Sequence, residues 1–407
     1  MNDPLEDRLH DALHHRVDPM RRAPITTDGV RTRARRIRRR RTVTAAAAVA
    51  AVLAVAVPAG LSMTGSSQRG EAPLVTQPPA PRITGTVPID PRSAPVGDAA
   101  GIPMISVNDP GVIVGEETIE VPDVYDAIVR YLDGWVATVN VEGMQTVQVL
   151  DQDFQRVSGS GYRTTGLTVS ADGSRIAWAE YDGGRWSVVD RAADGSRQDR
   201  RTELPPGPED ASVTTVGFAS DTEVVVSQED PSDDAVTALI ADGTDVAEIR
   251  GPLEPRTASV ATGAVAGVVS RDADSSTCSA VIDVRTRAES WETCDYEPVS
   301  FSPDGRHVAA FAAQYDGSGS PSLALLDAST GDTVVDFELV GPPDSFAATS
   351  EVAWEDDETL LLTMVSGNVQ YVVRVGLDGT VERVGGPVND LDPESISSKF
   401  ATSQAGT

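Results

Sequence analysis

From residue 102 onward, nearly every apolar run is four to seven residues long and bounded by turn-forming residues. That length, with alternation inside many of the runs, predicts short strands, and no amphipathic helical period of convincing length competes with them. The clearest stretch, residues 299–312, reads V-S-F-S-P-D-G-R-H-V-A-A-F-A. Val299 and Phe301 alternate with serines, and residues 308–312 form an apolar run. Between them, Pro303 presets φ, the Asp304 side chain can accept nearby backbone N–H groups, and Gly305 accepts a positive φ. The result is a β-hairpin whose second strand is apolar enough to be covered on both faces.

The phrase returns at 167–179 as L-T-V-S-A-D-G-S-R-I-A-W-A, and in weaker form at 216–228, 260–270 and 352–364. A sixth copy, 129–139, turns at Leu132-Asp133-Gly134. The copies begin 38 to 53 residues apart, a period that suits a blade of four antiparallel strands. One such sheet cannot bury both of its faces, so the blades must stack in a ring. Six blades are legible. Residues 102–121 hold strands with no preceding partners, and 395–401 reads as a lone strand. Together these could form a seventh blade that joins both ends and removes an exposed edge. The expected fold is therefore all-β, a β-propeller of six or seven blades.

The phrase V-S-F-S-P-D-G-R-H-V-A resembles the blades of WD40-like and TolB-like propellers, in which S-P-D-G-x-x-[IVL]-A recurs. The resemblance covers residues 129–387, is strong in two blades and weaker in the rest, and lacks the Trp-Asp dipeptide of strict WD40 repeats.

Upstream of the repeats the character of the chain changes. Leu5, Leu9, Leu13 and Val17 make one stripe of a short amphipathic helix. Residues 31–41 are a cationic run, R-T-R-A-R-R-I-R-R-R-R, and the uncharged apolar stretch 43–63 follows at once. Such a stretch spans a bilayer as a helix, and arginines before it place the N-terminus in the cytoplasm. A cleaved export signal, with Ala54-Val55-Ala56 as its small-residue site, is the alternative. Residues 64–101, rich in Pro, Gly, Ser and Ala, read as a disordered stalk. The expected organisation is a basic cytoplasmic tail over 1–41, a transmembrane helix over 42–63, a linker over 64–101, the propeller over 102–401 and a disordered tail over 402–407. It places the protein in the cell membrane, single-pass, with the C-terminal domain outside. This layout resembles membrane proteins encoded beside extracytoplasmic sigma factors, which implies a cytoplasmic regulator at the tail.

Charge sharpens this division. Of 33 basic and 62 acidic residues, 12 arginines and only 6 acids fall in 1–41, so the exported part is strongly acidic. It should repel nucleic acid and anionic lipid, leaving basic proteins or divalent cations as electrostatic partners.

Candidate chemistry is sparse. Cys278 and Cys294 are the only cysteines and stand opposite each other in an expected hairpin that pairs Ala280 with Glu292, Ile282 with Ser290 and Val284 with Ala288. A disulfide or two buried thiols would fit. His307 is the one histidine of the exported part and starts a strand, and no G-x-S-x-G elbow accompanies it. The expected catalytic set is none, and no cofactor or metal is expected beyond a structural calcium, for which 190–195 matches a loop only in part. The acidic clusters 233–234 and 356–358 fall in turns, where Asp serves the backbone. Trp135, Trp178, Trp186, Trp291 and Trp354 read as blade packing. A non-catalytic module that binds a protein or other ligand on a propeller face is the first functional reading, and an exported hydrolase or lyase is the second.

Overall fold

The structure is a computed structural model that describes residues 85–388 except 107–109, 171–172, 193–198, 208–210, 231–234, 250–252, 272–276, 314–318, 342–344 and 367–368. A first strand, β1 (Thr86–Ile89), precedes seven sheets. Blade 1 has three strands, β2 (Met104–Ile105), β3 (Gly111–Val114) and β4 (Glu117–Glu120). Each later blade is a four-stranded antiparallel meander. Blade 2 is β5 (Tyr125–Tyr131), β6 (Gly134–Val141), β7 (Met144–Leu150) and β8 (Arg156–Gly159). Blade 3 is β9 (Arg163–Val169), β10 (Arg175–Asp182), β11 (Arg185–Ala192) and β12 (Arg200–Glu203). Blade 4 is β13 (Ser212–Phe218), β14 (Val224–Asp230), β15 (Ala235–Ala241) and β16 (Val246–Glu248). Blade 5 is β17 (Glu254–Ser259), β18 (Ala264–Arg271), β19 (Thr277–Asp283) and β20 (Glu289–Thr293). Blade 6 is β21 (Tyr296–Phe301), β22 (His307–Ala312), β23 (Ser322–Asp327) and β24 (Thr333–Leu339). Blade 7 is β25 (Ser345–Trp354), β26 (Thr359–Ser366), β27 (Val369–Gly376) and β28 (Val381–Val388).

Each of seven apolar clusters lies between one blade and the next. Val112, Tyr125 and Trp135 join blades 1 and 2, while Ile102, Met104, Leu361 and Val384 join blades 7 and 1. The clusters between them continue around the circle, so the ring of seven is closed by side-chain packing. The alternative of six blades is thereby settled: residues 102–121 supply a blade of their own. The first strand of each blade lies innermost, and from blade 1 to blade 7 each meets the first strand of the next. Two hydrogen bonds mark this contact, Thr165 Oγ1 to the Val213 carbonyl and Phe301 N to Thr257 Oγ1 at 3.3 Å.

The second strands read as uninterrupted apolar runs because both of their faces are covered. Residues 308–311 and 360–365 are fully or almost fully buried. The five tryptophans fall in five different seams between blades, in agreement with their expected packing role. The inner hairpins are irregular. The first and second strands of blades 2 to 7 all slip by a bulge, which bends the inner strand. The phrase at 260–270 is displaced, since Val260 lies in the turn after β17 and the inner strand precedes it.

The expected linker 64–101 ends earlier than the composition implied. Residues 85–101 run along the outer edges of two blades. β1 adds in parallel to β24, with Ile89 fully buried against blades 6 and 7. Val96 bridges Arg383 of β28, and Gly97 N donates to the Arg383 carbonyl at 2.9 Å. The Arg374 guanidinium then donates to the carbonyls of Asp98 (3.2 Å) and Ala99 (3.1 Å) while paired with Glu355. A polar, proline-containing segment is ordered here because strand edges and one arginine satisfy its backbone. Gly97 permits the approach, since a Cβ there would run into the Glu382 carboxylate.

No helix among the described residues is long and apolar enough to cross a membrane. The expected tail, the apolar stretch 43–63, the linker before residue 85, the lone strand 395–401 and the tail 402–407 lie outside the described residues.

Candidate functional site

The turn of the signature phrase shows why its residues recur. Gly305 N donates to the Ser302 carbonyl at 2.8 Å, with Gly305 at φ 71°. Asp304 Oδ1 accepts Ser302 Oγ at 2.7 Å and Arg306 N at 3.0 Å, and Ser302 Oγ accepts His307 N at 3.0 Å. A Cβ on Gly305 would meet the Ser259 hydroxyl of blade 5, so the turn is seated on its neighbour. The next such turn, in blade 7, uses Asp356 in the same way: its Oδ1 accepts the N–H groups of Glu358 (2.9 Å) and Thr359 (2.8 Å) and the Thr359 hydroxyl (2.6 Å).

These two turns bring a group of ionisable residues to the inner-turn face where blades 6 and 7 meet. Asp304, Arg306 and His307 come from one, Asp357 and Glu358 from the other, and Asp327 from the end of β23. Burial raises the Asp304 carboxyl, but hydrogen bonds from the Arg306 backbone, the Ser302 hydroxyl and the Arg306 guanidinium outweigh it and hold it below the usual range. Asp357 goes the other way. Burial, and then the charge of Asp304, push its carboxyl up, against a backbone hydrogen bond from Asp304 and the charge of Arg306. His307 is pushed down by burial, with the carboxylates of Asp304, Asp327 and Glu358 opposing. The site is thus a shallow acidic cluster with one exposed arginine and one half-buried imidazole.

His307 carries a pH dependence of its own. Its folded pKa lies below the ordinary histidine value of 6.5, so the unfolded chain takes up the proton first as pH falls. Stability contributed by the neutral ring is complete above that value and is lost as pH drops through it. The thermal midpoint of His307→Gln is expected to fall less than that of the native chain between about pH 7.5 and 5.5.

The other candidates resolve into structure. Asp190, the first residue of the partial calcium loop, is buried and held by Arg175 and Arg200, so two guanidinium groups occupy the carboxylate that a cation would need. Among the described residues, one group sets three potential ligand atoms within mutual reach, Cys278, Glu292 and Cys294. Its two sulfurs are joined as a disulfide, which decides between the bridge and free thiols. The bridge spans β19 and the end of β20, where Ala280 pairs with Glu292 as expected, whereas Ile282 meets Glu289 because a bulge intervenes. Cys278→Ser/Cys294→Ser is expected to lose about 3 kcal/mol, by the entropy of a loop of this length. Denaturant unfolding under oxidising conditions measures it.

Sequence reasoning missed the Arg374–Glu355 pair. Its signal was present as a lone arginine within the apolar run Y-V-V-R-V, a pattern that requires a buried partner.

Comparison with known proteins adds fold-level likeness. No family model matches the sequence, and no curated protein matches it. Solved structures do. TolB from Acinetobacter baumannii aligns at 14% identity over 63% of this chain and 61% of that one, with a TM-score of 0.42. The β-propeller domain of Cps50 (Swd1) from Myceliophteria thermophila aligns at 12% identity over 65% and 86%, at 0.44. A prolyl endopeptidase aligns at 12% over 74% of this chain and 50% of its own, at 0.49. The chain therefore spans about three fifths of that TolB and half of the endopeptidase. The fold itself is plain from the seven sheets. It is a seven-bladed β-propeller.

Proposed function

We propose that this protein is a membrane-anchored, exported propeller that binds a cationic partner, without catalysis, at the acidic inner-turn face of blades 6 and 7. The observation that carries this reading is geometric: two turns and the end of β23 bring Asp304, Asp327, Asp357 and Glu358 together around Arg306 and His307. Among them the half-buried Asp357 carboxyl, crowded by Asp304 and Asp356, is poorly stabilised in its charged form, and an incoming ammonium or guanidinium would stabilise it. The surrounding acidic domain, which draws cations from a distance, supports the same partner class.

The second reading, a hydrolase or lyase, needs two carboxylates free to act on a substrate. Asp304 is committed to capping its own turn, which favours binding. The apolar stretch 43–63 serves in this reading as the retained anchor, and the tail 1–41 as the contact with a cytoplasmic regulator, a sigma factor by architectural resemblance.

The test is crosslinking from membranes with the full-length protein, the Asp357→Lys variant and a chain lacking residues 1–41. Capture of a basic exported partner should weaken with added salt and be lost in Asp357→Lys, while a cytoplasmic regulator should be lost only with the tail. A partner set unchanged by Asp357→Lys would overturn the assignment of the face.

A further inference from the structure

The Cys278–Cys294 disulfide lies within a single blade. It closes the end of the β19–β20 hairpin, next to the Ser279–Thr293 pair, and ties no second blade to the first. Val281 and Trp291 of the same two strands pack into the seam with blade 6, so opening the bridge leaves that seam in place. The sulfurs are also accessible, Cys278 being half-buried and Cys294 exposed. Strand alternation sets a third group beside them. Glu292 and Cys294 are two residues apart and share one face of the sheet with Cys278 and with Ala280, the partner of Glu292. The Sγ atoms of Cys278 and Cys294 and a Glu292 carboxylate oxygen all lie within 4.8 Å of one another. That carboxylate is uncommitted. Glu254 of the same blade is held by Arg256 and Arg271, whereas Glu292 has no ion-pair partner among the described residues.

We propose that this bridge is a redox-gated binding site for Zn²⁺, closed as the disulfide and opened by reduction. Two thiolates and one carboxylate then hold the ion, and its fourth position is left to water or an incoming ligand atom. In a tetrahedral site, Zn–S of about 2.3 Å and Zn–O of about 2.0 Å put neighbouring donors about 3.5–3.8 Å apart. Small side-chain rotations from the present separations reach that geometry once the S–S bond is broken. The reductant is a dithiol. Its thiolate attacks the exposed Cys294 sulfur, the S–S bond breaks and Cys278 leaves as the thiolate. The second thiol of the reductant then attacks its own sulfur in the mixed disulfide and releases Cys294. The reductant ends as a disulfide, and the protein has gained two electrons and two protons. Zn²⁺ displaces those two protons as it binds both sulfurs. Thiolate donors select Zn²⁺ over Ca²⁺ or Mg²⁺, and the acidic domain draws divalent cations towards it. The site stands at the end of the strands opposite the inner turns, so it is separate from the acidic face of blades 6 and 7.

Cobalt(II) gives such a site a direct optical readout. The full-length protein, reduced with dithiothreitol and desalted without air, should bind one Co²⁺ per chain. Thiolate-to-cobalt charge-transfer absorption and the visible bands of a tetrahedral ion should appear, and added Zn²⁺ should bleach both. The oxidised protein and Cys278→Ser/Cys294→Ser should show neither. Glu292→Ala should weaken Co²⁺ binding about tenfold or more, as the loss of a ligand does, while Glu289→Ala on the same strand should leave it unchanged. Zn²⁺ should also raise the thermal midpoint of the reduced protein, because it binds the folded state. If reduction loosens blade 5, amide exchange over residues 277–293 must slow again when Zn²⁺ is added, with blade 2 peptides as the fold control. A reduced chain without the charge-transfer band, a band indifferent to Glu292→Ala, or a loosened blade 5 that Zn²⁺ fails to protect would overturn the proposal.

Discussion

Asp190→Ala is expected to cost about 3–5 kcal/mol, the range for removing one partner of a buried charge network. Asp190 and Arg175 are both almost fully buried, and the carboxylate is shared between them and Arg200. Arg175 Nε donates to Asp190 Oδ1 at 2.9 Å, and its Nη1 donates to the Ser220 carbonyl of blade 4 at 3.3 Å. Its guanidinium also lies 4.4 Å from the centre of the Phe218 ring. Arg200 reaches the carbonyls of Asp242 and Thr222, both in turns of blade 4. Deleting Asp190 therefore strands one buried cation and loosens a second that staples blade 3 to blade 4. Denaturant unfolding provides the number. Arg175→Met in the same background should recover part of the loss, because it removes the uncompensated charge and keeps an apolar stem over Phe218. If the double variant is no better than Asp190→Ala, desolvated charge is not the source of the loss.

How much of this was legible beforehand depends on the range of the interaction. The hairpin at 299–312 was readable because turn chemistry and apolar runs are local; Ser302, Asp304 and Gly305 do in the fold what their types imply. The disulfide was readable for the same reason, being the closure of one hairpin. Bulges were not, since a slip of one residue, or of three in blade 7, inside a strand leaves little mark on alternation. The edge-bound segment 85–101 was hidden because its backbone bonds, rather than its side chains, hold most of it, and its composition resembles an unbound linker. The acidic cluster at blades 6 and 7 depends on two turns about fifty residues apart. Each turn was visible, but their meeting was not, because the order of blades around the ring must be known first.

Trp354→Ala should be comparably severe, at about 3–5 kcal/mol, the range for deleting a large core side chain. Trp354 is 1% exposed at the end of the innermost strand of blade 7 and belongs to the cluster that joins blades 6 and 7. Its Nε1 donates to the Ser300 carbonyl of blade 6 at 3.4 Å. Trp354→Phe separates the two contributions. It keeps most of the apolar volume and leaves one carbonyl without this donor, so it should lose about 1–2 kcal/mol. The comparison with Asp190→Ala then asks how the ring unfolds. The two residues sit in different seams, blades 3–4 and 6–7, and share no partner. If all seven seams melt together, each variant should lower one common transition and the double variant should lose the sum, because distant sites add. If the blades behave as a chain of nearest-neighbour units, Trp354→Ala should split the transition, with blades 6 and 7 and the edge-bound segment 85–101 released first. Ile89 of that segment is buried in the same cluster as Trp354, so proteolytic cutting within residues 85–101 reports on the seam directly. Early cutting in Trp354→Ala but not in Asp190→Ala would show local release, and equal cutting in both would show one cooperative ring.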